Sequence, residues 1–294
     1  MGELLALLTA LLWALGVILF KRSVGFVAPF TLNVFKNCVA LVLLAATTVA
    51  LGQTRTLSVS PKDLMLILIS GAIGIGISDT FYFMALSRLG ASRTALVDCL
   101  YSPFVILFSV IMLSEKLTPL AVGGGLLILG SVLVSSQRSF GQSLRRRELL
   151  LGCLFGALAM ATVAFAVVLV KPVLPAYPLA WVAAVRMAGG IMFVLLVLPL
   201  HPNKKSVYAA FRPQPGWKWM FCGTFVGSYL SLMSWLAGFK YSRAGIAALL
   251  NQTSTVLIVL LAAVFLQEPL TKVKLVAVGM AFAGAAMVLY SGVL

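Results

Sequence analysis

Runs without a single charge recur along this chain, at positions 4–20, 117–137, 149–170, 219–239, 244–267 and 275–294. Each is close to or longer than the ~18 apolar residues at which a helix can span a bilayer. The apolar stretches between them carry only scattered polar residues. Together they predict ten helices, at about 3–20, 30–50, 63–87, 92–114, 118–136, 149–171, 177–199, 217–239, 244–266 and 271–292. Most connections are short, as antiparallel helix neighbours require. Two longer polar stretches stand out: 136–148 near the middle of the chain, and 201–216 between the seventh and eighth helices.

The pattern repeats. Lys21 and Lys171 close corresponding helices 150 positions apart, and Lys36 and Arg186 are again 150 apart. Pro29 and Pro178 fall between them. "ALSRLGAS" (85–92) returns loosely as "AGFKYSRA" (237–244), and Glu115 in "SEKLT" as Glu268 in "QEPLT". A steady offset marks a duplicated unit. The expected units are 1–137 and 149–294, joined by a basic linker at 138–148. Five helices is an odd number, so the second copy enters the membrane upside down. Inverted repeats with a site near the bilayer midplane are a device of secondary transporters.

Composition agrees: 62% of the 294 residues are hydrophobic, 10% are charged, and the mean hydropathy is +1.10. The first run follows Met1-Gly2-Glu3, with no basic region before it, and is expected to be a retained helix. The net charge of +15 is explained by basic residues flanking helices, so no nucleic-acid partner is expected. The four cysteines form no CxxC pair and the single histidine, His201, lies in a loop, so no metal or cofactor is expected. Odd-numbered loops hold fourteen of the 22 lysines and arginines, even-numbered loops six. The positive-inside rule then puts the odd loops in the cytoplasm and both termini outside, in a bacterial cytoplasmic (inner) membrane.

Several stretches together resemble the EamA-type branch of the drug/metabolite transporter superfamily. They are Trp13 and Lys21 in "LLWALGVILFK", Lys36 where the family usually has arginine, "ALSRLGASRTAL", and "YSPFVILFSVIMLSEKLT" with Pro103 and Glu115. The likeness spans nearly the whole chain. It implies an all-α polytopic membrane protein, with ten transmembrane helices as two inverted five-helix repeats around a central cavity. The first, third, fourth, sixth, eighth and ninth helices would line that cavity, with the fifth and tenth packed outside. Members mostly export amino acids and other small metabolites. Val163 stands where Trp13 would be answered in the second half, and Thr255 replaces the counterpart of Pro103.

The residues that do not suit lipid are the candidates for chemistry. Asp79 and Asp98 lie roughly 9–12 Å below one interface, counting 1.5 Å per helical residue, and Lys36 is at a similar depth. An unpaired charge there costs about 3 kcal/mol on insertion scales. Lys36 either pairs with one of the aspartates and fixes packing, or leaves an acid facing the transport path to hold an amino group or a coupling proton. Asp98 shares a helical face with Tyr101 and Ser102, and Lys36 with Asn33 and Asn37. Asn251, Ser254 and Thr255 form a third polar stripe. Tyr82, Tyr101, Tyr229, Trp235 and the mid-helix Trp13 could stack on an organic substrate. Arg186 could hold a carboxylate. Glu115 and Glu268, at helix ends, should bond loop backbone, and the glycines of "GAIGIG" (71–76) should serve close helix packing.

The expected activity is secondary export of an amino acid or related amine, with a proton as the coupling ion the two acids would suit. Its partners would be a small-molecule substrate and membrane lipids, as a monomer or homodimer. A carrier of phosphorylated or lipid-linked sugars is the alternative. An integral-membrane enzyme acting on lipids would need clustered carboxylates with a metal, or a histidine pair.

Overall fold

The computed structural model describes residues 2–53, 59–113, 119–136, 145–200, 204–241 and 244–291. Every regular element among them is helical. The helices are α1 (Gly2–Ser23), α2 (Pro29–Ala50), α3 (Pro61–Gly71), α4 (Ser78–Leu89), α5 (Ala91–Asp98), α6 (Tyr101–Leu113) and α7 (Pro119–Ser136). After the linker come α8 (Arg146–Val170), α9 (Leu179–Val197), α10 (Lys204–Ala209), α11 (Trp217–Gly223), α12 (Ser231–Tyr241), α13 (Ala244–Phe265) and α14 (Lys272–Ser291). Proline opens α2, α3 and α7, where its missing N–H has no helical partner to lose.

Among the described residues, seven helical runs are long and apolar enough to cross a membrane: α1, α2, α3–α4, α5–α6, α8, α9 with its last turn, and α11–α12. The remaining expected segments are helical as α7, α13 and α14. Glu115, His201 and most of the 138–148 linker lie outside the described residues.

Three features depart from ten plain helices. A π segment, Ala72–Ile77, joins α3 to α4, and a second, Thr224–Leu230, joins α11 to α12 at the same offset as the sequence repeat. The expected helix at about 92–114 is broken at Cys99 and Leu100. Pro103 has no N–H to give to the carbonyl of Cys99 one turn back. Its counterpart Thr255 does, and α13 runs unbroken. The stretch 201–216, read as loop, includes α10.

Packing follows the duplication. α1 packs on α12 and α13, while its counterpart α8 packs on α4 and α6. Counterparts α2 and α9 pack on each other, as do α7 and α14. The close approaches require small residues. A Cβ on Gly71 would collide with the backbone of Arg186, and one on Gly16 would lie 2.5 Å from Cα of Gly227. Backbones that close bring van der Waals contact along both helices, which is how association is driven in lipid.

Polar contacts mark the two ends. Lys21 Nζ donates to the carbonyls of Leu86 (2.9 Å) and Ser87 (3.3 Å). Arg22 Nη2 donates to Phe265 O (2.9 Å), and Arg88 pairs with Glu148 at 3.3 Å. These contacts gather the first, third, fifth and ninth loops at one end. At the other, Tyr177 donates to Asp63 across 2.8 Å. Helix α1 therefore ends where α8, its counterpart, begins, and the two run in opposite directions. The main core, with Phe20, Phe83, Leu86 and Leu96 fully buried, sits between α1, α4, α5, α8 and α13 on the side of the first of these ends.

Candidate functional site

Inside the bundle lies a cavity of about 310 Å³, enough for a small metabolite. Of the residues singled out from the sequence, Trp13, Lys36, Asp79, Tyr82, Asp98, Tyr101, Arg186, Trp235, Asn251, Ser254 and Thr255 line it. Six of the expected helices contribute, and two more do as well. Lys36 reaches in from α2, and Ala183, Arg186 and Met187 from α9. Among the described residues, helices α7 and α14, the expected outer pair, supply no lining residue.

The first π segment sets the polar wall. A π turn leaves carbonyls without the usual helical partner. Asn33 Nδ2 donates to Gly76 O (2.9 Å) and to Thr80 Oγ1 (2.8 Å), and Thr80 Oγ1 donates to the same carbonyl (2.9 Å). Asn37 Nδ2 in turn donates to Asn33 Oδ1 (2.9 Å). Within the expected stripe of α2, Lys36 therefore faces the cavity, while the two asparagines hold the π turn. Ser78 Oγ donates to Ala159 O and Ser70 Oγ to Ala166 O, each at 2.8 Å, tying this wall to α8.

Lys36 Nζ is in direct contact with Asp79 Oδ2, and little of the lysine is exposed. The base has chosen Asp79, not Asp98. Asp98 Oδ1 is sealed from solvent. The Tyr82 hydroxyl, a donor as well as an acceptor, stands beside it, and Asn251 Oδ1 and Arg186 Nε are buried without partners. Cys99, next to Asp98, touches Thr255 at 3.5 Å, one turn from Asn251. Arg186 lies within electrostatic reach of Asp79 and Tyr101, with Gly74 leaving room for its guanidinium. The cavity thus holds one neutralised pair, one acid beside a tyrosine hydroxyl, and one arginine.

Aromatic and aliphatic side chains make up the rest. Trp13 and Tyr82 have ring centroids 5.6 Å apart. Val163, Met160, Leu232 and Leu236 also line the cavity. Tyr229, another aromatic candidate, does not line the cavity; its hydroxyl meets Thr47 Oγ1 at 2.7 Å. Sequence reasoning did not single out Ser78, Ser228 and Ser231, which also line it. The repeat offset that aligns the π segments pairs Ser231 with Asp79, and that signal could have found it.

Outside the cavity, Glu268 meets its expectation. It accepts from the backbone N–H of Ala91 (2.8 Å) and Ser92 (3.2 Å), at the start of α5, and pairs with Lys274 at 3.4 Å. Burial would raise its carboxyl. The nearby Ser92 hydroxyl, the Lys274 ammonium and those two N–H groups outweigh burial and hold it below its ordinary value.

A bundle of long apolar helices around a buried polar cavity has the make-up of an integral membrane protein with a transport path. The chain belongs to the EamA-like transporter family, whose model matches residues 1–137 and again 150–290, and so to the drug/metabolite transporter superfamily. It is similar to an uncharacterized transporter of Archaeoglobus fulgidus, 24% identical over 268 residues, covering 90% of this chain and 89% of the relative. A solved crystal structure shares the fold, with a TM-score of 0.68 at 22% identity over 97% of this chain and 95% of its own. The protein is a membrane transporter.

Proposed function

We propose that this transporter is a secondary carrier that exports an amino acid or related small amine by alternating access between two inverted five-helix halves. The observation that carries the reading is the division of charge in the cavity. Lys36 and Asp79 neutralise each other, which leaves Asp98 for an ammonium and Arg186 for a carboxylate. The apolar surface of Trp13, Met160, Leu232 and Leu236 suits an aliphatic or aromatic side chain. Phosphorylated sugars are less well matched, because one of the two cavity cations is already paired with a carboxylate. Opposite running directions of α1 and α8 support the inverted halves, and an odd number of spans in each would require them.

Thermal-shift measurements on the purified protein test this. The panel is amino acids, amines, nucleotides and sugar phosphates. A ligand at 100 times its dissociation constant stabilises by about 2.7 kcal/mol, so binders stand out. Amines and zwitterions should raise the melting temperature. A shift with phosphates and none with amines would overturn the substrate class.

A further inference from the structure

We propose that this carrier requires a carboxylate on its substrate, and that this carboxylate seats on Arg186 in place of an acid that the second half of the chain lacks. This rests on the amino-acid reading above and narrows it: amino acids are held, and their decarboxylated amines are held poorly.

The repeat carries the argument. Lys36 on α2 answers Arg186 on α9, and Asp79 on α4 answers Ser231 on α12. A π segment leads to each member of the second pair, Ala72–Ile77 before Asp79 and Thr224–Leu230 before Ser231. Helix α2 packs on α4, and α9 packs on α12. All four residues line the same cavity. In the first half the base meets its acid. In the second half a hydroxyl stands where the acid would be.

Arg186 shows the deficit. It is only 5% exposed, its Nε is buried with no hydrogen-bond partner, and among the described residues it enters no ion pair. The groups that reach it electrostatically are Tyr101 and Asp79. Asp79 is already taken by Lys36, so two cations draw on one carboxylate. Asp98 stands beside Tyr82 and is not among the charges that reach Arg186. The backbone of Arg186 is set directly against Gly71, and its guanidinium lies over Gly74, where an added Cβ would be 3.4 Å from Nη2. Ala183 and Met187, flanking Arg186, share one apolar cluster with Leu232 and Trp235 of α12. That keeps the Ser231 segment against the arginine's helix.

A guanidinium presents parallel N–H donors that match the two oxygens of a carboxylate, and the Tyr101 hydroxyl can add another donor. An ammonium can use none of these. A bound amine would leave Arg186 buried and unpaired, whereas a zwitterion brings the missing acid with it. Serine is smaller than aspartate by about one carboxylate, so the vacancy has room as well as charge for one.

The test uses the full chain purified in detergent. The probes are leucine and phenylalanine beside their decarboxylated amines, isopentylamine and phenethylamine. Isothermal titration calorimetry gives each dissociation constant, and the melting temperature reports folding. The wild type should bind an amino acid about 10- to 100-fold more tightly than its amine, the range for hydrogen bonds to a charged group. Arg186→Gln should remove that preference by weakening the amino acid, while the amine binds no worse. Ser231→Asp supplies the missing acid from the chain itself. It should raise the melting temperature and weaken the amino acid by about the same factor, again without weakening the amine.

A wild type that binds the amine as tightly as the amino acid would overturn the proposal and leave the broader amine reading standing. So would a Ser231→Asp variant that keeps the preference. Binding of none of the four probes would remove that reading and this proposal with it. If Arg186→Gln does not fold, the wild-type ratio and Ser231→Asp still decide, because Ser231→Asp adds a partner to a buried cation.

Discussion

Lys36 stands in lipid-depth surroundings only because Asp79 meets it. Removing one partner of a buried pair typically costs about 3–5 kcal/mol, since the survivor keeps its desolvation penalty. Lys36→Met and Asp79→Asn should each lower the melting temperature in detergent sharply, whereas the double variant should lose clearly less than the two combined. Additive losses in that cycle would mean the contact is not an ion pair in the folded protein. The sequence alone offered two acids and one base at similar depth, and it could not say which acid the base would take. The reason is rotational. A π turn inserts one residue, which rotates everything after it by about 100° about the helix axis. Asp79 follows such a turn, so its direction depends on a backbone feature that no hydrophobic period announces.

Among the elements, the two π segments and the break at Cys99 shape the cavity, and none was visible in the hydrophobic pattern. Pro103 was legible as a family feature, and the glycines at 71–76 as packing residues. The step from those glycines to a π turn depends on how tightly α3 meets α9. What the pattern did carry was every long helix, because lipid allows few alternatives to a backbone bonded within its own segment. The start of α5 was legible in part through "QEPLT", whose Glu268 caps it from another helix pair. A carboxylate held below its usual value stabilises the fold above the ordinary glutamate range, and that contribution is lost as pH falls through the lowered value. Glu268→Gln should therefore cost about 1–2 kcal/mol at neutral pH, comparable to losing a helix cap. It should also flatten the acid-side fall of the melting temperature below pH ~4.5. An unchanged acid limb in the variant would count against Glu268 as its source.

At the scale of the whole molecule, the ends of the bundle are unequal in charge. The end that gathers Lys21, Arg22, Arg88 and Glu148 belongs to the odd loops, which carry most of the basic residues. By the positive-inside rule that end is expected in the cytoplasm and the C-terminus outside. A reporter fused after Leu294 and active only in the periplasm would agree with this, and one active only in the cytoplasm would reverse the assignment. The duplication is expected from a 150-residue offset in the sequence, and in the fold α2 packs on α9 and α7 on α14.

The match is not complete, and the single proline decides how. Two halves of identical sequence could trade shapes at no net cost, so a shuttle built from them would dwell equally on each side of the bilayer. With Pro103 answered by Thr255, one half is bent by its covalent structure and the other is not. If the halves trade shapes as proposed, the shape that asks the first to bend and the second to stay straight would be the cheaper one, and the empty protein would rest there.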